Sequence, residues 1–230
     1  MENNVKNLAT AALAAVLLLA ACTPSAPPKA SPKTDQEKTV YGVGVAIQKS
    51  LETFSFTPAE LELVLAGIRD AAVNKAEVKL EEQQNAIQKL ALERRAAQGA
   101  EAQKKGVEYL EKVAKEPGAE KTASGLVYIP VKEGAGKTPA ATDQVKVNYT
   151  GKLIDGKVFD ASAKHGGPAT FPLNGVIPCW TEGVQKMKVG GKARLVCPSA
   201  IAYGDRGAGG DIPPGATLDF EVELVEIMKK

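Results

Sequence analysis

The chain is poor in the residues on which most site chemistry depends. Its 230 residues hold one histidine, one tryptophan and three cysteines, and aromatic side chains make up only 5%. A single imidazole, His165, excludes a metal cluster built on histidines. It stands before Gly166 and Gly167, reads as a solvated loop residue, and leaves no nucleophile–base pair. No HExxH, CxxC or phosphate-binding glycine loop occurs. YGVGVA (Tyr41 to Ala46) has no third glycine at the required step and no strand before it, so its glycines read as points of close helix packing. Charge of one sign is lacking too. Lys plus Arg number 29 against 27 Asp plus Glu, and a net charge of +2 argues against the concentrated basic face of a nucleic-acid binder. Nor is there a long apolar run. Leu8 to Ala21 (LATAALAAVLLLAA) would span about 21 Å as a helix, short of a hydrocarbon core of about 30 Å.

That short run, preceded by Lys6, reads as a secretory signal over residues 1–21. Its ending, LAAC (Leu19 to Cys22), resembles the bacterial lipoprotein signal, in which the cysteine is lipidated and becomes the mature N-terminus. The alternative is a plain signal peptide cut nearby. Lipidation at Cys22 makes the protein exported, in the periplasm or at the cell surface, and held to a membrane only through its anchor. Thr23 in place of an aspartate leans toward the outer membrane. Cys179 and Cys197 then remain, an even number in a compartment where disulfides persist. TPSAPPKASPKT (Thr23 to Thr34) has no apolar period, and residues 22–38 read as a disordered tether.

Residues 39–116 read as helical. Val40, Val43, Ile47, Leu51 and Phe54 recur at steps of three and four. In FTPAELELVLAGIRDAA, Thr57 fits an N-cap, Pro58 the first helical position and Glu60 the partner in a capping box. Leu61, Val64, Leu65, Ile68 and Ala72 supply the apolar stripe. From residue 75 to 116 charges of both signs crowd the chain, with Glu101–Lys105, Glu108–Lys112 and Glu111–Lys115 at the favourable spacing. A long, largely solvated spacer helix follows, weakened at Gly99 and Gly106 by about 1 kcal/mol each relative to alanine and stopped at Pro117-Gly118. Two short amphipathic helices and a solvated one make a poor core. Either two copies bury each other's faces, giving a homodimer through residues 39–75, or a monomeric hairpin folds on the next domain.

Residues 117–230 change to a period of two. Val145, Val147, Tyr149, Gly151 and Leu153 alternate with polar residues. Ala193, Leu195 and Cys197 do the same, and so do Leu218, Phe220, Val222 and Leu224, with Asp219, Glu221 and Glu223 facing outward. Asp155-Gly156 is a strong hairpin signal. One short helix candidate, Thr181 to Met187, lies between strands, so the domain reads as α+β, an antiparallel sheet over one helix. Large apolar residues bounded by turns gather here, with the carboxylate Asp160 directly after Phe159.

VKVNYTGKLIDGKVFDAS, PATFPLNGVIPCW, EGVQKMKVGGKARLVCP, AIAYG and IPPGATLDFEVEL stand in the order and spacing of the FKBP-type peptidyl-prolyl cis-trans isomerases. The resemblance runs continuously over residues 121–229. The preceding segment is similar to the dimerisation module of the exported bacterial subgroup typified by the macrophage infectivity potentiator. The resemblance implies a half-barrel of five or six antiparallel strands with a short helix across its concave face. It also implies a pocket of Tyr149, Phe159, Asp160, Phe171, Val176, Ile177, Trp180, Ala202, Tyr203, Ile212 and Phe220. Within it Trp180 forms the base for a proline ring. The Ile177 N–H and Tyr203 hydroxyl hold peptide carbonyls, and Asp160 is the polar residue nearest the rotating bond. The partners it implies are proline-containing unfolded or exported proteins and a macrolide inhibitor, with no metal, cofactor or nucleotide.

Three positions depart from the family's pattern. Cys179 stands before the tryptophan where glycine is common, and with Cys197 it forms either a disulfide under the pocket or two separate buried thiols. Ala169 replaces an aromatic residue of some members, lowering one wall, and Asp211 adds a charge to a rim that is often apolar. Two functions remain: an isomerase, or a chaperone whose pocket binds clients while turnover is incidental.

Overall fold

The computed structural model describes residues 31–228. The signal segment 1–21, the lipidation position Cys22 and most of the tether lie outside the described residues. Among those described, no helix is long and apolar enough to cross a membrane. The chain divides into two compact units between Ile47 and Gln48.

The division falls within the last turn of helix α1 (Asp35–Ser50), which begins inside the stretch read as tether. The cause is a cap that the apolar pattern does not show. Thr34 Oγ1 accepts from the Glu37 N–H at 3.2 Å, and the Glu37 carboxylate accepts from the Thr34 N–H at 2.9 Å. Its apolar side chains are uncovered, with Val40 67% and Val43 58% exposed.

In the second unit, a 3-10 turn at Glu52–Phe54 leads to helix α2 (Pro58–Ala72). The expected capping box of Thr57 and Glu60 is formed. Helix α3 (Leu80–Val113) starts five residues later than the charge pattern suggests. It is tied back to α2 by Arg94 on Glu60 at 2.6 Å. The Gln98 amide donates to the carbonyls of Glu52 and Thr53 and to Ser55 Oγ.

Seven strands follow: β1 (Glu120–Lys121), β2 (Val127–Lys132), β3 (Gln144–Leu153), β4 (Val158–Ala161), β5 (Ala169–Pro172), β6 (Lys192–Cys197) and β7 (Leu218–Met228). Their order is β1-β2-β6-β7-β3-β4, with β5 also on β3 and every pairing antiparallel. The count exceeds five or six because β3, at 10 residues, takes β5 beside its first half and β4 beside its second. The Asp155-Gly156 turn joins β3 to β4, with Gly156 at φ 89° and the Lys157 N–H on Asp155 Oδ1 at 2.9 Å.

One face of the sheet carries the core. Val145, Val147, Leu195, Leu218, Val222 and Leu224 are fully buried there with Leu173 and Val184. Each such aliphatic side chain contributes about 1.5–3 kcal/mol by leaving water. Helix α4 (Pro178–Val184) packs on this face, three residues earlier than the Thr181–Met187 candidate, because Pro178 supplies the first turn. Gly183 lets it lie close, since a Cβ there would stand 2.7 Å from Leu195 Cδ2. The Cys179–Cys197 disulfide, Cα atoms 5.8 Å apart, ties α4 to β6.

The opposite face is not simply solvated, and here two expectations are corrected. The C-terminal half of α3 covers it: Leu110 and Val113 pack with Val127, Ile129 and Val196. Gly99 and Gly106 are buried, and Gly106 faces Thr217 so closely that a side chain would overlap it. They are contact points, not only weak points, in a helix that is more than a spacer. Asp219, expected outward, is buried beneath α3. It accepts from Arg194 Nε at 3.0 Å and from the Tyr109 hydroxyl at 2.7 Å, while Arg194 also reaches Glu116 at 2.9 Å. Alternation marks which residues share a face, but not what covers the second face.

Candidate functional site

Trp180 is the fixed point of the site. As the third residue of α4 it is held over the sheet by the disulfide on one side and by Thr181, whose hydroxyl donates to the Leu173 carbonyl at 2.6 Å, on the other. Three rings meet the indole edge to face: Tyr149 at 5.3 Å, Phe220 at 5.3 Å and Phe171 at 5.9 Å between centroids. Phe159 stands at 90° to Phe220, 5.6 Å away. Such edge-to-face pairs contribute about 0.5–1.5 kcal/mol each beyond the area they bury. Gly151 is what lets them meet, because a Cβ there would come within 2.5 Å of Phe159 and 2.8 Å of Phe220.

Above these rings is an open hollow of about 330 Å³. Of the residues expected at the site, it is lined by Tyr149, Phe159, Asp160, Phe171, Val176, Ile177, Trp180, Tyr203 and Phe220. Two expected residues do not line it. Ile212 is buried in the core, held by a two-way backbone bridge to Ala208, and Ala202 packs against the same core. Both belong to the apolar cluster that also holds Trp180 and Phe220, and Ile212 lines a separate hollow. Asp211 does not line it either; it pairs with Lys157 at 3.4 Å and lines a separate hollow. Gly175 lines the hollow and was not foreseen, since a glycine before Val176 reads only as a turn.

The polar groups are few and ordered. Asp160 Oδ2 accepts from the Tyr149 hydroxyl at 2.6 Å. Its Oδ1 accepts from the Ala161 N–H at 2.8 Å and lies 2.8 Å from His165 Nε2. Burial pushes the Asp160 carboxyl up, but the bonds from Tyr149, His165 and Ala161 outweigh it and hold the group below its ordinary value. Tyr149 is pushed well above its ordinary range by burial and by its bond to Asp160. Tyr203 is raised by burial and then by the Asp160 charge. Its hydroxyl has no hydrogen-bond partner among the described residues, nor has the Ile177 N–H at the head of α4, so both are free to donate. The Trp180 indole N–H is also buried without an acceptor among them. His165, read from sequence as a bystander, is bonded to the pocket carboxylate. No periodicity could reveal this, because a 3-10 turn (Ser162–His165) carries it back to Asp160.

A larger hollow of about 680 Å³ lies between the Glu52–Thr53 turn, α3 and the loop from Arg206 to Pro214. Arg95, Arg206, Asp155, Lys157 and Asp211 line it and no aromatic ring does, so it offers no dry enclosure for an apolar ring. The aromatic hollow is the candidate site, with two free donors and one carboxylate but no nucleophile beside a base among its lining residues.

Comparison with known proteins places the chain in a family. Residues 135–225 match the family described as FKBP-type peptidyl-prolyl cis-trans isomerase, and residues 36–129 match the domain amino terminal to it. The chain is 42% identical over 206 residues to the FKBP-type 22 kDa peptidyl-prolyl cis-trans isomerase of Escherichia coli (strain K12), covering 85% of this chain and 97% of that relative. It is 35% identical over 227 residues to the outer membrane protein MIP of Legionella longbeachae, covering 94% and 96%. The crystal structure of FkpA from Escherichia coli is similar at a TM-score of 0.65 and 38% identity, over 86% of this chain and 98% of that one. Two family models that together span residues 36–225, and a relative 42% identical over most of both chains, show that the chain belongs to the FKBP-type peptidyl-prolyl cis-trans isomerases.

Proposed function

We propose that the hollow over Trp180 seats the prolyl ring of the substrate and speeds rotation about the X-Pro bond without a covalent step. Rotation of an amide costs about 18–20 kcal/mol because resonance must be given up, and X-Pro isomers exchange over tens to hundreds of seconds unaided. The twisted amide is less polar than the planar one, so water favours the ground state and a dry aromatic enclosure favours the transition state. About 4 kcal/mol of differential stabilisation gives a thousandfold acceleration. The Ile177 N–H and Tyr203 hydroxyl hold the carbonyls flanking the bond, and Asp160 lies beside it. The observation that carries this reading is the convergence of Tyr149, Phe159, Phe171, Trp180 and Phe220 around one open cavity. Ala202 and Ile212 support its wall, and a macrolide inhibitor would enter the same cavity.

The protein acts, in this reading, as an exported homodimer anchored through a lipid on Cys22, at the periplasmic or outer-membrane face. Within the helical segment 39–116, residues 39–75 supply the interface, and residues 117–230 are the isomerase. The exposed apolar side chains of α1, with Val40, Val43 and Ile47 at 67%, 58% and 42%, favour association, as does the match to the amino-terminal domain. The same surface favours a second activity, chaperoning of unfolded clients. One experiment separates them: isomerisation of an Ala-X-Pro-Phe peptide beside aggregation suppression, for wild type and Asp160→Ala. Asp160→Ala is expected to lose turnover and keep suppression. Wild type without a rate above solvent would end the isomerase reading. Mass spectrometry of the mature N-terminus and sedimentation of the full chain test the anchor and the dimer.

A further inference from the structure

We infer that His165 is a positioning residue for the isomerase, holding the Asp160 carboxylate in place by a bond whose strength follows the protonation of the imidazole. The inference rests on the reading of the aromatic hollow as the prolyl site.

The geometry is specific. Asp160 is gripped from two sides: Tyr149 on Oδ2 at 2.6 Å, and His165 Nε2 with the Ala161 N–H on Oδ1, each at 2.8 Å. Tyr149 also packs on Trp180, so the carboxylate, the phenol and the pocket base form one connected unit. The backbone that returns His165 to Asp160 is tight. The 3-10 turn Ser162–His165 ends on Gly166 at φ 89° and Gly167 at φ 127°, conformations that residues with a Cβ rarely adopt. Ser162 anchors the other end of the turn, its Oγ accepting from the Tyr149 N–H at 3.1 Å. The turn is thus fixed at both ends to the pocket strands.

Imidazole is the side-chain type whose charge ordinarily changes between pH 5 and 8, and His165 is the one imidazole that touches this pair. Asp160 stays ionised there, since its bonds hold it below the ordinary carboxylate value. Tyr149 on β3 and Tyr203 beyond β6 are both raised and stay neutral. Lys164 is next to His165 in the chain and makes no ion pair among those described. A protonated His165 gives Asp160 a charge-assisted bond, about twice as strong as a neutral one, and offsets the negative charge at the mouth of the apolar hollow. A neutral ring gives a weaker bond and leaves the charge uncompensated. Because His165 touches Asp160 and does not line the cavity, its loss should lower kcat and leave KM, set by packing of the proline ring, unchanged.

The test uses the full chain and a protease-free NMR exchange assay on an Ala-Pro peptide from pH 5 to 8. Because the chain has one histidine, its imidazole proton signal reports the titration without overlap. Wild-type kcat is expected to fall about two- to fivefold as pH rises, the range open to a partly exposed ion pair, with the midpoint of the imidazole signal. His165→Arg should keep the high value at all pH, and His165→Ala should show the low value at all pH with unchanged KM. A flat wild-type profile across the imidazole titration, or His165→Ala equal to wild type, overturns this inference alone. Absence of turnover in wild type overturns the reading of the site and the inference with it.

Discussion

Gly106 lies inside α3, where a glycine ordinarily weakens a helix. On an exposed helix face, Gly→Ala gains about 1 kcal/mol. Here the sign should reverse. A methyl group at Gly106 would overlap Thr217 Oγ1 and stand 3.0 Å from Thr217 Cβ, and Thr217 is only 4% exposed, at the start of the strand it leads into. Overpacking of this kind costs about 1–3 kcal/mol, which leaves Gly106→Ala about 0–2 kcal/mol less stable than wild type after the helix gain is subtracted. Urea unfolding followed by the emission of Trp180, the only indole, reads the isomerase half directly. The midpoint should fall, and Gly106→Ala with Thr217→Ala should recover part of the loss, because the nearest clashing atom is gone. A midpoint that rises by the amount an open helix gives would refute the packing of α3 on the outer face of the sheet.

Replacing both Cys179 and Cys197 by alanine opens a loop of 18 residues and should cost about 3 kcal/mol in the chain-entropy account, read as a lower unfolding midpoint under non-reducing conditions. Tyr109→Phe removes one hydroxyl from the Arg194–Asp219 cluster while leaving that ion pair in place, and should cost about 1 kcal/mol in the same unfolding assay. Asp160 has a depressed carboxyl in the folded chain, so its contribution is present above the ordinary carboxylate value and is lost as pH falls through the lower folded one. As pH falls below about 4, the ordinary carboxylate value, wild type should therefore lose more stability than Asp160→Asn, and parallel acid-unfolding curves would contradict the assignment.

How much of this was legible in the sequence depends on how local each cause is. The Thr57–Glu60 box and the Asp155-Gly156 hairpin are written in adjacent residues, and both form as read. The Thr34–Glu37 box is equally local, yet it closes a proline-rich stretch and precedes the apolar period, which begins only at Val40, and this hides the start of α1. The aromatic hollow was legible through a resemblance, not through periodicity, since Phe159, Phe171 and Trp180 come from three separate elements. What escaped is what depends on a distant neighbour. Gly99 is a defect in isolation and a contact once Pro214 stands 3.3 Å from the position of a Cβ. Asp219 reads as an outward charge until Tyr109 and Arg194 close over it. His165 belongs to the same class, as its partner is reached through a turn and not through a repeat.

The proline ring is held to rest on Trp180, and Trp180 is the only indole in the chain, so its emission tests that contact without any label. Titration with a short Ala-Pro-containing peptide should shift the emission to saturation, while the same peptide with alanine in place of proline should leave it unchanged. Turnover of the prolyl peptide with no change in Trp180 emission at any concentration would contradict the claim that the ring packs on the indole.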